Sequence, residues 1–150
     1  MNEIICDLLA VEERAAFATA SGSEMHLRLQ RVSLDAPYSG DAELRDRIIS
    51  FGKDLVRFFR APARAELPVA GYINGRFISR RMDRVIIDNI AHTVDILDYK
   101  TDIDRTSRRD KYMAQVGEYI TLMRRIYPDY AVCGYILWLH DWTLEKVDIA

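Results

Sequence analysis

The sequence predicts an α/β domain: helices first, then a three-stranded β-meander, a crossover helix, and one or two further strands joining the same mixed sheet. Three observations carry this expectation. Apolar residues recur at helical spacing through roughly the first sixty residues. Asn74-Gly75 separates two runs of β character, and both central residues of a type I′ hairpin turn need positive φ. Finally, an amphipathic helical segment lies between the strand-like run at 93–100 and an apolar run at 131–139, a spacing that lets the later strand pair in parallel.

Taken in order, residues 7–34 read as helical, with Leu8, Leu9, Val11, Ala15, Ala16 and Phe17 supplying the apolar positions. Ser21-Gly22-Ser23 interrupts this pattern, with Ser21 or Ser23 as an N-cap for a second helix. That helix carries Met25, Leu29 and Val32 on one face and His26 beside it. Turn residues make 35–41 a loop. One helix is expected over 42–60, its apolar stripe formed by Leu44, Ile48, Phe51, Leu55, Phe58 and Phe59, with Pro62 stopping it.

The period then changes to that of strands, expected at 66–73, 76–87 and 93–100, with a hairpin at Asp88 to His92. Ser107 is the candidate cap of a helix over 108–127, and Tyr112, Val116, Tyr119, Met123 and Ile126 share one of its faces. The apolar run at 131–139 reads as a buried strand, and 142–147 as a short edge strand. The division is a helical part over about 1–62 and an α/β core over about 63–150, in a single domain.

Composition narrows the class. The chain has 150 residues, 49% hydrophobic and 29% charged, in the range of an ordinary globular domain with a sizeable core. A net charge of -2 means that any nucleic-acid contact must come from a local patch. Cys6 and Cys133 are far apart and in no metal-ligand spacing, which argues against a zinc ribbon or iron–sulfur cluster and for a reducing, cytoplasmic setting. No signal peptide opens the chain and no apolar run approaches a membrane span, so no membrane partner is expected. No phosphate-loop motif of an ATPase occurs.

The chemistry concentrates in two runs. The first, Met82-Asp83-Arg84-Val85-Ile86-Ile87, carries Asp83, and the second ends in Asp98-Tyr99-Lys100-Thr101. Alternate strand residues share a face, so Asp98 and Lys100 project together, and strand pairing can bring Asp83 opposite them. Two carboxylates and an ammonium at one sheet end are costly in a structural core. They suit a hard divalent cation, Mg²⁺ or Mn²⁺, held beside a phosphate. The plainer alternatives are solvated strand-end aspartates and a Lys100–Asp98 ion pair.

These residues, with several others, resemble the PD-(D/E)xK nucleases of the RecB family. Gly22-Ser23-Glu24-Met25-His26-Leu27 resembles the helix that delivers a metal-binding histidine, and Ala65-Glu66-Leu67-Pro68 the first-strand glutamate motif. Met82-Asp83-Arg84-Val85 resembles the Ile-Asp-Arg-Leu segment, and Gln115 with Tyr119 the Gln-x-x-x-Tyr signature of the following helix. The likeness is greatest to the C-terminal nuclease domains of AddA-type helicase–nucleases, and it covers nearly the whole chain. One position departs from the pattern: Arg81 stands two before Asp83, where glycine is usual.

The resemblance implies a restriction-endonuclease-like core and a metal-dependent deoxyribonuclease acting in double-strand break repair. His26, Asp83, Asp98 and the Tyr99 carbonyl would be its metal ligands. Lys100 would orient the attacking water or hold the phosphate, with Glu66, Gln115 and Tyr119 assisting. Single-stranded DNA would be the substrate, the chain being the nuclease part of a longer helicase–nuclease with an AddB-like partner. The competing expectations are a catalytically weak DNA-binding or subunit-interaction module, and a stand-alone exonuclease of the same superfamily. Arg76, Arg80, Arg81, Arg84, Arg105, Arg108, Arg109 and Lys111 form a basic concentration around the motifs, read either as phosphate contacts or as a solvated face balanced by aspartates. Trp138 and Trp142 read as base-stacking or as core residues.

Overall fold

The computed structural model describes residues 22–149. The helix expected over the first twenty residues, and Ser21 as a cap, lie outside that range.

Helix α1 covers 22–30 of the described chain. It is followed by α2 (Ala42–Phe51), a single turn α3 (Lys53–Val56) and a 3₁₀ turn (Arg57–Phe59). Strands β1 (Arg64–Ile73), β2 (Arg76–Asp88) and β3 (Thr93–Lys100) form the meander. Helix α4 (Arg105–Ile126) leads to β4 (Ala131–Trp138), and β5 (Thr143–Val147) closes the edge. The sheet order is β1-β2-β3-β4-β5, antiparallel except for the β3–β4 pair. This is the mixed α/β sheet that the sequence predicts, and α4 is its crossover.

Helices cover both sheet faces, so strands β3 and β4 alternate between two cores. Val94, Ile96, Val132, Ile136 and Trp138 pack with Val116, Tyr119, Ile120 and Met123 of α4. Leu97, Tyr99 and Leu137 face the other way, against Leu29, Leu44, Ile48, Leu55, Phe58 and Phe59. Gly134 lets α4 lie close on β4: a Cβ there would come within 2.6 Å of Val116 Cγ1. Among the described residues no helix is long and apolar enough to cross a membrane.

Several boundaries differ from the sequence expectation, each for a local reason. Ser23 is not a cap; it lies inside α1 and is exposed. The second helix stops at residue 30, not 34, and Val32 and Leu34 reach the core from the loop instead. The helix expected over 42–60 is broken at Gly52, whose φ of 109° is outside the helical region and suited to glycine. Asp41 caps α2, its carboxylate accepting from Leu44 N at 3.0 Å. The cap of α4 is Asp104 rather than Ser107: Asp104 Oδ1 accepts from Ser107 N, and the helix begins at Arg105. The turn at Asn74-Gly75 has φ values of 50° and 76°, as a type I′ hairpin requires.

Candidate active site

The site forms where the sheet forks. Strand β2 pairs with β3 from Asp88–Thr93 as far as Arg84–Leu97. The next position would set Asp83 opposite Asp98, and there the ladder ends. Beyond it β2 continues to Arg76 paired only with β1, while β3 continues to Lys100 paired with β4. Asp83 fills the opening: its Oδ2 accepts a hydrogen bond from Tyr99 N at 2.7 Å, in place of a backbone carbonyl. On the far side of β2, Glu66 stands opposite Asp83, between the Ala65–Arg84 and Leu67–Met82 pairs. It has a φ of 56°, unusual for a residue inside a strand. Strained backbone of this kind gathers at functional sites.

Both aspartates are buried, at 8% and 4% exposure. Lys100 Nζ lies 2.8 Å from Asp98 Oδ2. Yet that buried oxygen has no hydrogen-bond partner of acceptable geometry, so the contact is one of charge and not of a directed bond. The lysine's directed bond goes to Gln115 Oε1 at 2.9 Å, and the Tyr112 ring lies 4.3 Å from Nζ. Gln115 Nε2 in turn donates to Tyr119 OH at 2.9 Å. The spacing of four that puts Gln115 and Tyr119 on one helix face therefore serves a relay ending at Lys100. Tyr119 is both a core aromatic and the end of this relay.

His26 enters from α1. Its Nδ1 lies 2.9 Å from the Gly22 carbonyl, which can only accept, so Nδ1 carries a hydrogen. Nε2 then faces Asp83 Oδ2 at 3.6 Å. This is the arrangement that fixes the tautomer of a metal-binding imidazole. Gly22 lets the helix come close: a Cβ there would meet Thr101 Oγ1 at 2.9 Å.

The electrostatics are those of crowded acids. Contact with Asp83 raises the His26 pKa to about 9, against the opposing pull of burial. Burial first, and the charge of Asp83 second, push Asp98 upward, while Lys100 pulls it down. Burial and then Asp83 also raise Glu66. Burial, with Asp98 and Asp83 adding to it, raises Tyr119.

The fold thus brings together all eight candidate site residues: His26, Glu66, Asp83, Asp98, Tyr99, Lys100, Gln115 and Tyr119. No family model matches the chain, and no curated protein gives a significant match. What can be said of the site comes from its own geometry.

Among the described residues no three His, Cys, Asp or Glu side chains stand close enough to grip an ion as they are placed. The acids are held by the chain itself, Asp83 by Tyr99 N and Asp98 by Lys100. The donor set still fits a divalent cation. It offers hard carboxylate oxygens, one of them buried without a hydrogen bond, and an imidazole whose outer nitrogen is already oriented.

Arg84 has a role that the sequence did not disclose. It is buried at 5% exposure and is no phosphate contact. Its Nη2 donates to the carbonyls of Leu29, Gln30 and Val32 at 2.9, 3.0 and 2.8 Å, gathering the C-terminal end of α1. Its Nε donates to Tyr99 OH at 3.2 Å, and its guanidinium stacks on Phe59 at 4.5 Å. One side chain thereby ties the helix bearing His26 to the strands bearing Asp83 and Asp98. The one local hint is that Arg84 opens the apolar run Val85-Ile86-Ile87, and it says nothing of the carbonyls that Arg84 binds.

The rest of the basic group is largely neutralised. Arg76 pairs with Glu118, Arg105 and Arg109 with Glu145, and Arg108 with Asp102. Arg80, Arg81 and Lys111 stay exposed. Trp138 is a core residue at 1% exposure, its Nε1 donating to Glu145. Trp142 is half-buried, with Arg47 over its ring.

Proposed function

We propose that this chain is a metal-dependent deoxyribonuclease domain with a restriction-endonuclease-like core, hydrolysing phosphodiester bonds of single-stranded DNA. The observation that carries the reading is the fork: Asp83 and Asp98 lie just past the end of the β2–β3 ladder, Asp83 bonded to Tyr99 N, with His26 beside Asp83 and Lys100 beside Asp98. Mg²⁺ or Mn²⁺ held there would supply positive charge beside the scissile phosphate and make an attacking water more acidic.

The chain's own groups do the rest. Tyr99 N–H fixes Asp83, and Gly22 fixes the His26 ring. Gln115, held by Tyr119, keeps Lys100 at the acids. There the ammonium donates to a phosphate oxygen, or to the attacking water and so orients it, its charge easing the loss of that water's proton. By the sequence resemblance, the strand is delivered by a helicase motor working with an AddB-like subunit in the cytoplasm, during break repair.

The test is cleavage of single-stranded DNA with Mg²⁺ or Mn²⁺ by the parent, Asp98→Ala and Lys100→Ala. Both variants should lose at least about a hundredfold in rate while keeping the parent's circular dichroism. Equal rates in all three would remove these residues from the mechanism. Circular single strands left intact would mark an obligate exonuclease. The second reading, a binding module without cleavage, is favoured by one observation: Lys100 and Tyr99 N already occupy the two carboxylates. Binding with no metal-stimulated cutting would select it.

A further inference from the structure

The β1–β2 ribbon beyond the fork has one covered and one open face. Val69, Ile78 and Met82 are buried in the core under α4. The residues between them point away from it. In register these are Tyr72 with Phe77, Ala70 with Ser79, and Pro68 with Arg81, followed by Glu66 opposite Asp83. All of the first six are exposed.

Tyr72 and Phe77, at 64% and 58% exposure, lie side by side with ring centroids 5.3 Å apart. Two large rings left in water at the end of a strand pair are a cost unless something covers them. From Phe77 to Asp83 is six residues, about 20 Å of strand. Of the three arginines between Glu66 and Asp83, Arg76 and Arg80 alternate with Ile78 and Met82 on the other face of β2, which leaves Arg81 as the cation of this one, with no carboxylate between the rings and Glu66. Arg76 is bridged to Glu118, but the ion pairs among the described residues include neither Arg80 nor Arg81.

We infer that this open face is a track for single-stranded nucleic acid, in which Tyr72 and Phe77 stack bases at the outer end and Arg81 meets the backbone on the way to the acidic site. The direction of the track rests on the nuclease reading; the binding itself does not. An arginine held in no ion pair among the described residues suits a polyanion. Exposed rings suit unpaired bases, whose faces are free whatever their sequence. Apolar area confined to two rings with arginine, serine and proline beyond is a poor seat for a protein's hydrophobic core.

The test uses the whole chain without divalent metal, so that binding is read apart from cutting. Anisotropy of labelled oligodeoxythymidine, long enough to span about 20 Å, is compared for the parent, Tyr72→Ala/Phe77→Ala and Arg81→Ala. Loss of a stacking ring costs about 1–3 kcal/mol per base, so the double variant should bind at least tenfold more weakly. That loss should persist at high salt. Arg81→Ala should instead lower the salt slope by about one. A dinucleotide cannot reach from the acids to the rings, and its cleavage should be the same in parent and double variant.

Equal affinity of the double variant and the parent for the oligonucleotide would overturn the track, whether or not the parent cuts DNA, and would leave those rings to a protein partner. Ring-dependent binding by a parent that never cuts with any metal would uphold the track and overturn the nuclease.

Discussion

Asp83 Oδ2 accepts the backbone N–H of Tyr99 at 2.7 Å, the residue between Asp98 and Lys100. A side chain has taken over a ladder position. The first acid is thereby fixed to the backbone that carries the second acid and the lysine, which leaves the site little freedom to drift.

Arg84 extends that fixation to α1. Arg84→Met should keep the contact with Phe59 but leave three carbonyls and Tyr99 OH short of a donor. Hydrogen bonds to charged groups contribute about 1.5–3 kcal/mol each, and buried polar groups left unmade add to the loss. The expected destabilisation is about 3 kcal/mol or more, read by urea unfolding. Arg84→Lys should restore little of it, since an ammonium cannot span the same fork of acceptors.

Gln115→Met should leave α4 intact while removing the acceptor for Lys100 and the donor to Tyr119. Losing such an outer partner typically lowers activity about 10- to 100-fold. Tyr119→Phe acts through the same relay, so the double variant should lose less than the product of the two single losses. Steady-state cleavage rates for the four proteins measure the coupling.

Gly134→Ala should destabilise the fold without altering the site's chemistry. The added methyl would meet Val116 Cγ1 at 2.6 Å and Ile120 Cδ1 at 2.9 Å. Val116 is β-branched and has little room to turn away. Overpacking of this kind costs about 1–3 kcal/mol, seen as a fall in Tm.

Glu145 supplies a pH dependence remote from the acids. Burial pushes its pKa up, but Arg109, Arg105 and Trp138 outweigh that and hold it below its ordinary value. A depressed carboxylate stabilises the fold above its unfolded pKa, about 4.3, and the benefit fades as pH falls through the lower folded value. Glu145→Gln should therefore lower Tm at pH 7, and the gap between variant and parent should narrow in acid. A gap that is constant with pH would mean the pairing carries no charge effect.

What the sequence disclosed divides along physical lines. Strand β3 was legible to the residue, and Asn74-Gly75 announced its turn, because both follow from local preference. The Asp83, Asp98 and Lys100 convergence followed from the period of two plus one hairpin. The break at Gly52 was not legible, since an isolated glycine in an amphipathic pattern is compatible with an unbroken helix. Asp104 and Ser107 both make good caps, and only the path of the chain chooses between them. Arg84 looked like one surface cation among eight. Its burial depends on carbonyls more than fifty positions away, which no local pattern reports.

The parting of β2 from β3 divides the support of the two acids. Asp83 rests on a ribbon paired with β1 and braced against α4 through Arg76 and Glu118, while Asp98 is carried by β3 with β4 at its side. The bond from Tyr99 N to Asp83 is the stitch across that gap.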